Sequence, residues 1–502
     1  MNLYSLPDSP EMFEQRFAQL QQTLVEQFER DFPDPLAPKT VIIVPSQSLD
    51  PEILGKIKGI IHYEERMLCL LLLLRMPRTR IIYLSSIPIE EIIVDYYLHL
   101  LPGVTAWHAR QRLTLLSCHD HSNLPLTQKI LNRPRLIQKI RDSIPAGHSA
   151  HLSGFNITYL EHELAFRLGV PLYGCPAALA PWGSKSGSRL LFRRAGLPIP
   201  PGYEDLKNMG EVADALAALQ EEHPLLRKAV VKLNDGFSGD GNAIFTYPPG
   251  GQPLREEALR EHLKMVAKDL EYDVFAEKMA AMGGIAEAFV DGPLKTSPSV
   301  QCRITPLQQI EVLSTHDQLL DQESGQIYLG CTFPAQPAYA REIGIMGQRV
   351  AEQLCQVGAL GRFGVDFISV QEKDGRWQHY AIEINLRKGG TTHPYLMLQL
   401  LTDGFYDHHT GQYHTPNGRP LHYLATDGLQ SDAYRGLCPE DLLDLAICHR
   451  LHYDANTQEG VLFHLLGALS EHGKLGLLCI GTSPERAAAL YRKTVALLDE
   501  CE

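Results

Sequence analysis

Basic residues are in the minority in this 502-residue chain, where 46 lysines and arginines face 59 acids and leave a net charge of −13. That balance argues against a nucleic-acid partner and leaves room only for a local basic pocket. Ten cysteines are scattered without one Cys-x-x-Cys pair. This excludes a zinc ribbon and a disulfide framework, and it fits thiols used as small buried hydrophobes in a reduced cytoplasm. Long apolar runs are missing as well. The most hydrophobic stretch, Met67 to Leu74, is bracketed by Arg66 and Arg75; it is far too short to cross a bilayer and reads as a buried helix, so no membrane is expected. The first residues carry Asp8, Glu11 and Glu14 and no apolar core, so secretion is not expected. There is no Gly-x-x-x-x-Gly-Lys-Ser/Thr, no dinucleotide fingerprint after the first strand, no nucleophile elbow and no internal repeat.

What is present is ordinary for a globular protein: 44% hydrophobic and 21% charged residues, with length for roughly three domains. Residues 9 to 30 predict an amphipathic helix started by Ser9-Pro10, with Phe13, Phe17, Leu20, Leu24 and Phe28 on one stripe. The runs Val41–Val44 and Ile81–Leu84, the intervening helix around Tyr63 to Arg75, and then Glu161–Leu168 before Val170–Tyr173 give a strand–helix rhythm. That rhythm predicts a parallel sheet covered on both faces. Met209, Val212, Leu216 and Leu219 predict a helix, and Ala229–Lys232 with Ala243–Phe245 predict a hairpin around a glycine-rich tip. Val274 to Lys278 and Gly284 to Val290 read as further strands, and Leu475–Ile480 with a helix opened by Ser483-Pro484 reads as a closing module.

Four groups of residues point to chemistry. Lys232 precedes Asp235, Gly236, Ser238, Gly239 and Gly241; glycines let backbone N–H groups approach an anion, and lysine adds a mobile charge for phosphate. Lys185, in a serine- and glycine-rich segment, is a second candidate. Glu277 and Glu287, each between apolar strand-like residues, suit ribose hydroxyls or an adenine amine. Glu383 and Asn385 share one face of a strand, and Asp366 joins them if its strand is the neighbour. Such oxygen donors suit Mg²⁺ shared with substrate phosphates. The loop Arg387, Lys388, Gly389, Gly390, Thr391, Thr392 and His393 follows at once and suits a carboxylate or acyl phosphate, with Arg303 a further candidate. Cys118-His119-Asp120-His121, His408-His409 and His464 have metal-like residue types without a second pair at useful spacing, and read as polar structure.

In this order, Lys185, Lys232, the glycine-rich lid Asp235 to Gly241, Glu277, Glu287, Asp366 and Glu383-x-Asn385 resemble the ATP-grasp superfamily. The stretch from Gly154–Thr158 through Gly183–Arg189, Val231–Asn234, Glu383–Pro394 and the stretch near Gly460 to Ile480 resemble more narrowly its pheganomycin-type peptide ligases. The resemblance implies an α/β fold with a Rossmann-like domain, a two-lobed ATP-grasp region and a small α+β C-terminal module. It divides the chain into a helix and linker (1–39), a pre-ATP-grasp domain (40–182), a central domain (183–290), a lobe with the metal site (291–430) and an accessory module (431–502). It implies ATP and Mg²⁺ as cofactors, with two ions and Mn²⁺ as a substitute. Lys185, Lys232, the lid residues, Glu277 and Glu287 would hold the nucleotide; Asp366, Glu383 and Asn385 the metal; Lys232, Arg303 and Arg387 would be catalytic; and Arg387 to His393 would contact substrate. Many relatives place an arginine two residues before the metal-binding aspartate, where this chain has Gly364, so Arg303, Arg362 and Arg387 stay open for that role. The implied reaction joins small-molecule carboxylate and amine substrates, amino acids or peptides, through an acyl phosphate, in a cytoplasmic protein for which a homodimer is carried as an expectation. A phosphotransferase or carboxylase-like enzyme and a non-catalytic nucleotide-binding regulator are the alternatives.

Overall fold

The computed structural model describes residues 9–236, 241–248, 256–267, 270–321 and 327–500. The first sheet is fully parallel, in the order Leu113–Ser117, Thr79–Ser85, Lys39–Val44, Ser149–Gly154. Its two faces go to two cores, as period-two alternation requires. Val41, Ile43, Ile81 and Tyr83 pack with the 3-10 helix Ile60–Arg75, and Ile42, Val44, Ile82 and Leu84 pack under Leu164 and Phe166 of the helix Tyr159–Leu168. The helix Pro10–Arg30 adds Phe17 to that second core, and its cap Ser9 accepts from the Met12 N–H. Two expectations change in detail. The Met67–Leu74 region is buried, but in a 3-10 helix rather than an α-helix. Val170–Tyr173 contributes only a bridge between Leu152 and Leu172; Pro171 beside it has no N–H for a ladder.

The second sheet is antiparallel, in the order Gly202–Leu206, Gly284–Ala288, Lys228–Leu233, Asn242–Thr246, Leu263–Met265. Its apolar face is closed by Val212, Leu216 and Leu219 of the helix Met209–Glu222 and by Phe275 and Met279. Those last two overturn the strand expected at Val274–Lys278, which lies in the helix Tyr272–Met282. Fully buried Phe275 and Met279 are four residues apart on one helical face while Val274 is exposed, so the period was helical and the short apolar run misled.

The third sheet has nine strands. Leu294–Thr296, Pro298–Ile304 and Trp377–Asn385 all pair with Gly361–Gln371, and Ile310–Leu320, Tyr328–Phe333, His422–Gln430, Lys474–Gly481 and Gly460–His464 follow in order. The C-terminal strands therefore extend this sheet rather than forming one of their own. Among the described residues no helix is long and apolar enough to cross a membrane.

Candidate functional site

The strands Gly361–Gln371 and Trp377–Asn385 are antiparallel neighbours, with Asp366 opposite Glu383 and Gly364 opposite Asn385. Phe363, Val365, Phe367 and Ile384 point into the core, so the alternation turns Asp366, Glu383 and Asn385 onto the opposite face. That face lines a cavity of about 710 Å³ between the two antiparallel sheets. The register shifts between Asp366 and Phe367, which leaves Ile382 as the extra residue; it too lines the cavity. Asp366 accepts from Gln318 Nε2 at 2.8 Å and from Asn385 Nδ2 at 2.9 Å. Burial, with Glu383 beside it, pushes the Asp366 carboxyl up to about 6. Burial also acts to raise Glu383, but the Lys185 ammonium paired with it, with Lys232 and Arg387 nearby, holds it below the ordinary value. Two crowded carboxylates and an amide are the donor chemistry that Mg²⁺ requires, and a cation would relieve the cost of ionising Asp366.

Lys185 opens the helix Lys185–Arg194, whose cap Ser184 accepts from the Gly187 N–H at 3.0 Å. This helix is docked on the strand Trp377–Asn385, where the Ile384 N–H donates to Ser188 Oγ at 3.1 Å, and on the preceding turn, where a Cβ on Gly187 would lie 2.0 Å from the Pro181 carbonyl oxygen. Lys232 comes from the second sheet and donates to Glu287 Oε1 at 2.6 Å, while Arg189 donates to Glu287 Oε2 at 2.7 Å. Glu287 is thus a buried carboxylate shared by two cations at the cavity wall. Gly236 and Gly241 line the same cavity. Ser238 and Gly239 lie outside the described residues, and Asp235, although described, is not part of the lining.

Of the loop after the strand Trp377–Asn385, Arg387, Gly389, Gly390 and Thr391 line the cavity. Burial lowers the Arg387 guanidinium, opposed by Glu383 and Asp366. Lys388 turns away, to the Gly154 carbonyl of the parallel sheet. Thr392 accepts from the Gly389 N–H at 2.9 Å, and His393 Nε2 meets His464 Nε2 at 3.0 Å inside the core, so these three residues shape the loop from behind. Arg303 shares its strand face with Ser299 and Gln301 but pairs with Glu311, Nε to Oε2 at 2.6 Å, beyond the cavity lining. Glu277 sits exposed on the helix Tyr272–Met282, away from the cavity. Gly364, where the resemblance would place an arginine, lies beside Gln301: a Cβ there would come within 2.8 Å of the Nε2 at the end of that side chain.

Sequence reasoning missed several lining residues. Ser299 and Gln301 are four and two residues before Arg303, so the same alternation turns them to the cavity. Phe289 and Val290, just after Glu287, join Val230, Leu319, Leu320 and Ile368 in the apolar part of the cavity. Gln318 had no local signal, because it reaches Asp366 from a strand 48 residues away in sequence. Tyr63, Arg66 and Asp427 come from the parallel-sheet region and the C-terminal extension, and nothing local marks them either.

Comparisons with known proteins bear on the family and the fold. The family described as IQCH-like, ATP-grasp matches residues 176–247 and 254–409, and the family described as PGM1 C-terminal domain matches residues 441–494. The chain is 30% identical over 472 residues to the L-propargylglycine--L-glutamate ligase of Streptantibioticus cattleyicolor, covering 91% of this chain and 94% of that one. It is 23% identical over 533 residues to IQ motif-containing protein H of Danio rerio, covering 92% of this chain and 48% of the relative, so it spans about half of that protein. Among solved structures, the biotin carboxylase domain of Hydrogenobacter thermophilus 2-oxoglutarate carboxylase, with MgADP, ADP and bicarbonate, superposes with a TM-score of 0.55 at 14% identity over 91% of this chain and 89% of that one. N5-carboxyaminoimidazole synthase from Aspergillus clavatus, with ADP and its ribonucleotide, gives 0.52 at 12% identity over 93% of this chain and 100% of that one. At such identities these two share the fold.

Proposed function

This chain belongs to the ATP-grasp family of carboxylate–amine ligases, and we propose that its reaction is carried out in the cavity between the two antiparallel sheets. The reaction is ATP-dependent: a carboxylate attacks the γ-phosphorus of ATP, ADP leaves, and an amine displaces phosphate from the acyl phosphate to give an amide. Lys185 and Lys232 would meet the phosphates, with the backbone around Gly236 and Gly241, while Phe289, Val290 and Ile382 would enclose the base. Glu287 acts through Lys232, holding its ammonium at the wall. Asp366, Glu383 and Asn385 would hold Mg²⁺, two ions in the full complex, with Mn²⁺ able to substitute. The metal, when bound, offsets phosphate charge. Arg387 would hold the carboxylate or the acyl phosphate with its planar fork of donors. Arg303, engaged by Glu311, would take no catalytic part. The relative whose name pairs two amino acids over nearly the whole chain supports free amino acids as the substrate class. We also propose the five-part division of the chain given above, with the strands of 431–502 joined to the sheet of the 291–430 lobe, and a homodimer.

The observation that carries this reading is the pairing of Asp366 with Glu383 across one strand pair, with Lys185 on Glu383 and Lys232 and Arg387 lining the same cavity. Positioned charge of this kind is what phosphoryl transfer needs most. The test is ADP release across a matrix of carboxylates and amines, with mass spectrometry of the products. Release that needs both partners and yields their amide supports the ligase; release with one partner, and a phosphorylated product, contradicts it.

A further inference from the structure

Beside Arg387, the cavity wall is completed by residues from two distant parts of the chain. Arg66, on the 3-10 helix Ile60–Arg75, donates to the Asp427 carboxylate on the strand His422–Gln430. Both residues are buried, at 8% and 7% exposure, yet both line the cavity. The guanidinium of Arg66 lies 4.0 Å from the centre of the Tyr63 ring, and its buried Nε has no hydrogen-bond partner. Arg66 is also close enough to Arg387 to count among the charges that lower it. Tyr328 closes the wall near Asp427: a Cβ on Gly390 would lie 2.7 Å from its ring.

A buried pair whose only role was to join two segments would satisfy its donors. Here two arginines and one carboxylate face a shared cavity, one arginine keeps an unused donor, and two tyrosines form the walls. Among these three residues the fixed charges are two positive and one negative, and Arg387 links them to the Asp366 and Glu383 carboxylates. That arrangement is complementary to a small zwitterion of the α-amino acid type: a carboxylate is taken by a planar guanidinium fork, and an ammonium group by a carboxylate. We propose that Arg66, Arg387 and Asp427 form the subsite for a free α-amino acid, with its carboxylate between the two arginines and its ammonium group on Asp427. This rests on the ligase reading and deepens it by naming what one substrate must carry: both charged groups, free. It also explains why residues of the parallel-sheet region and of the C-terminal extension reach this cavity.

The test uses the full chain loaded with Mg²⁺ and a non-hydrolysable ATP analogue. The twenty proteinogenic L-amino acids are titrated by calorimetry, followed by the N-acetyl and α-carboxamide derivatives of the tightest binder. Each derivative should bind at least tenfold more weakly than its parent. Arg66→Met and Asp427→Asn should each weaken the parent at least tenfold, with affinity for the ATP analogue measured on the same samples as the check of folding. Derivatives that bind as well as the parent, variants that fold and bind it normally, or no amino acid binding at all would overturn the subsite. If either variant fails to fold, the derivative series on the natural protein still decides. The ligase reading fails separately: zwitterion-dependent binding with no amide product removes that reading and keeps the subsite, whereas amide formation with blocked amino acids does the reverse.

Discussion

Lys232 Nζ and Glu287 Oε1 lie 2.6 Å apart, on neighbouring strands and both nearly inaccessible to solvent. Removing the lysine leaves the carboxylate with Arg189 alone. Lys232→Met should therefore raise the dissociation constant for ATP by about tenfold or more and also lower stability by about 1–3 kcal/mol. Lys185→Met should weaken ATP to a similar degree. Calorimetry and denaturant titration of both variants check this, and native-like nucleotide affinity in both would remove the two lysines from the site.

Glu383 takes its place from the register opposite Asp366 and from the Lys185 ammonium. Glu383→Ala should cut ADP formation by about two orders of magnitude or more and leave the far-ultraviolet dichroism unchanged, because the side chain faces the cavity rather than the core. Full turnover by folded Glu383→Ala protein would remove Glu383 from the metal set.

Arg387→Lys keeps the charge and loses the fork. ATP affinity should stay near normal while amide formation falls by about tenfold or more. Arg303→Lys, at a residue already paired with Glu311 outside the cavity, should change turnover less than twofold. Turnover and melting temperature on the same samples separate a role in the reaction from one in the scaffold. The opposite ranking of the two arginines would exchange their assignments.

His393 and His464 meet in the core behind the loop. Burial pushes His464 down to about 4 and His393 well below its ordinary value, with Arg66 adding to both. The unfolded chain, with histidines near ~6.5, then binds more protons than the folded one. Stability is present above that value and is lost as pH falls from there toward 4. Denaturant midpoints at several pH values should show the loss, and His464→Gln should make it shallower. An equal slope in the variant would assign the pH dependence to other groups.

Much of the site was legible because strand alternation is local. Glu383 and Asn385 could be placed on one face from two residues of spacing, and only the neighbour relation to Asp366 needed the fold. Two strands of the parallel sheet, Lys39–Val44 and Thr79–Ser85, were legible in their runs of buried apolar residues, whereas Leu113–Ser117 and Ser149–Gly154 lack such runs and were not. Glu277 was misplaced because Val274 to Lys278 is too short a window to separate a period of two from 3.6, and Phe275 and Met279 fit the helix. Lys388 and His393 were assigned to substrate by adjacency alone, and a tight turn sends their side chains to Gly154 and His464 instead. Gln318, Arg66 and Asp427 gave no signal because their role exists only through contacts far apart in sequence.

The central claim, amide formation through an acyl phosphate, is tested most directly by oxygen transfer. With the carboxylate substrate labelled with ¹⁸O and the amine and ATP unlabelled, the account predicts one ¹⁸O atom in the released phosphate for each amide formed. Phosphate that carries no label while amide accumulates would contradict it.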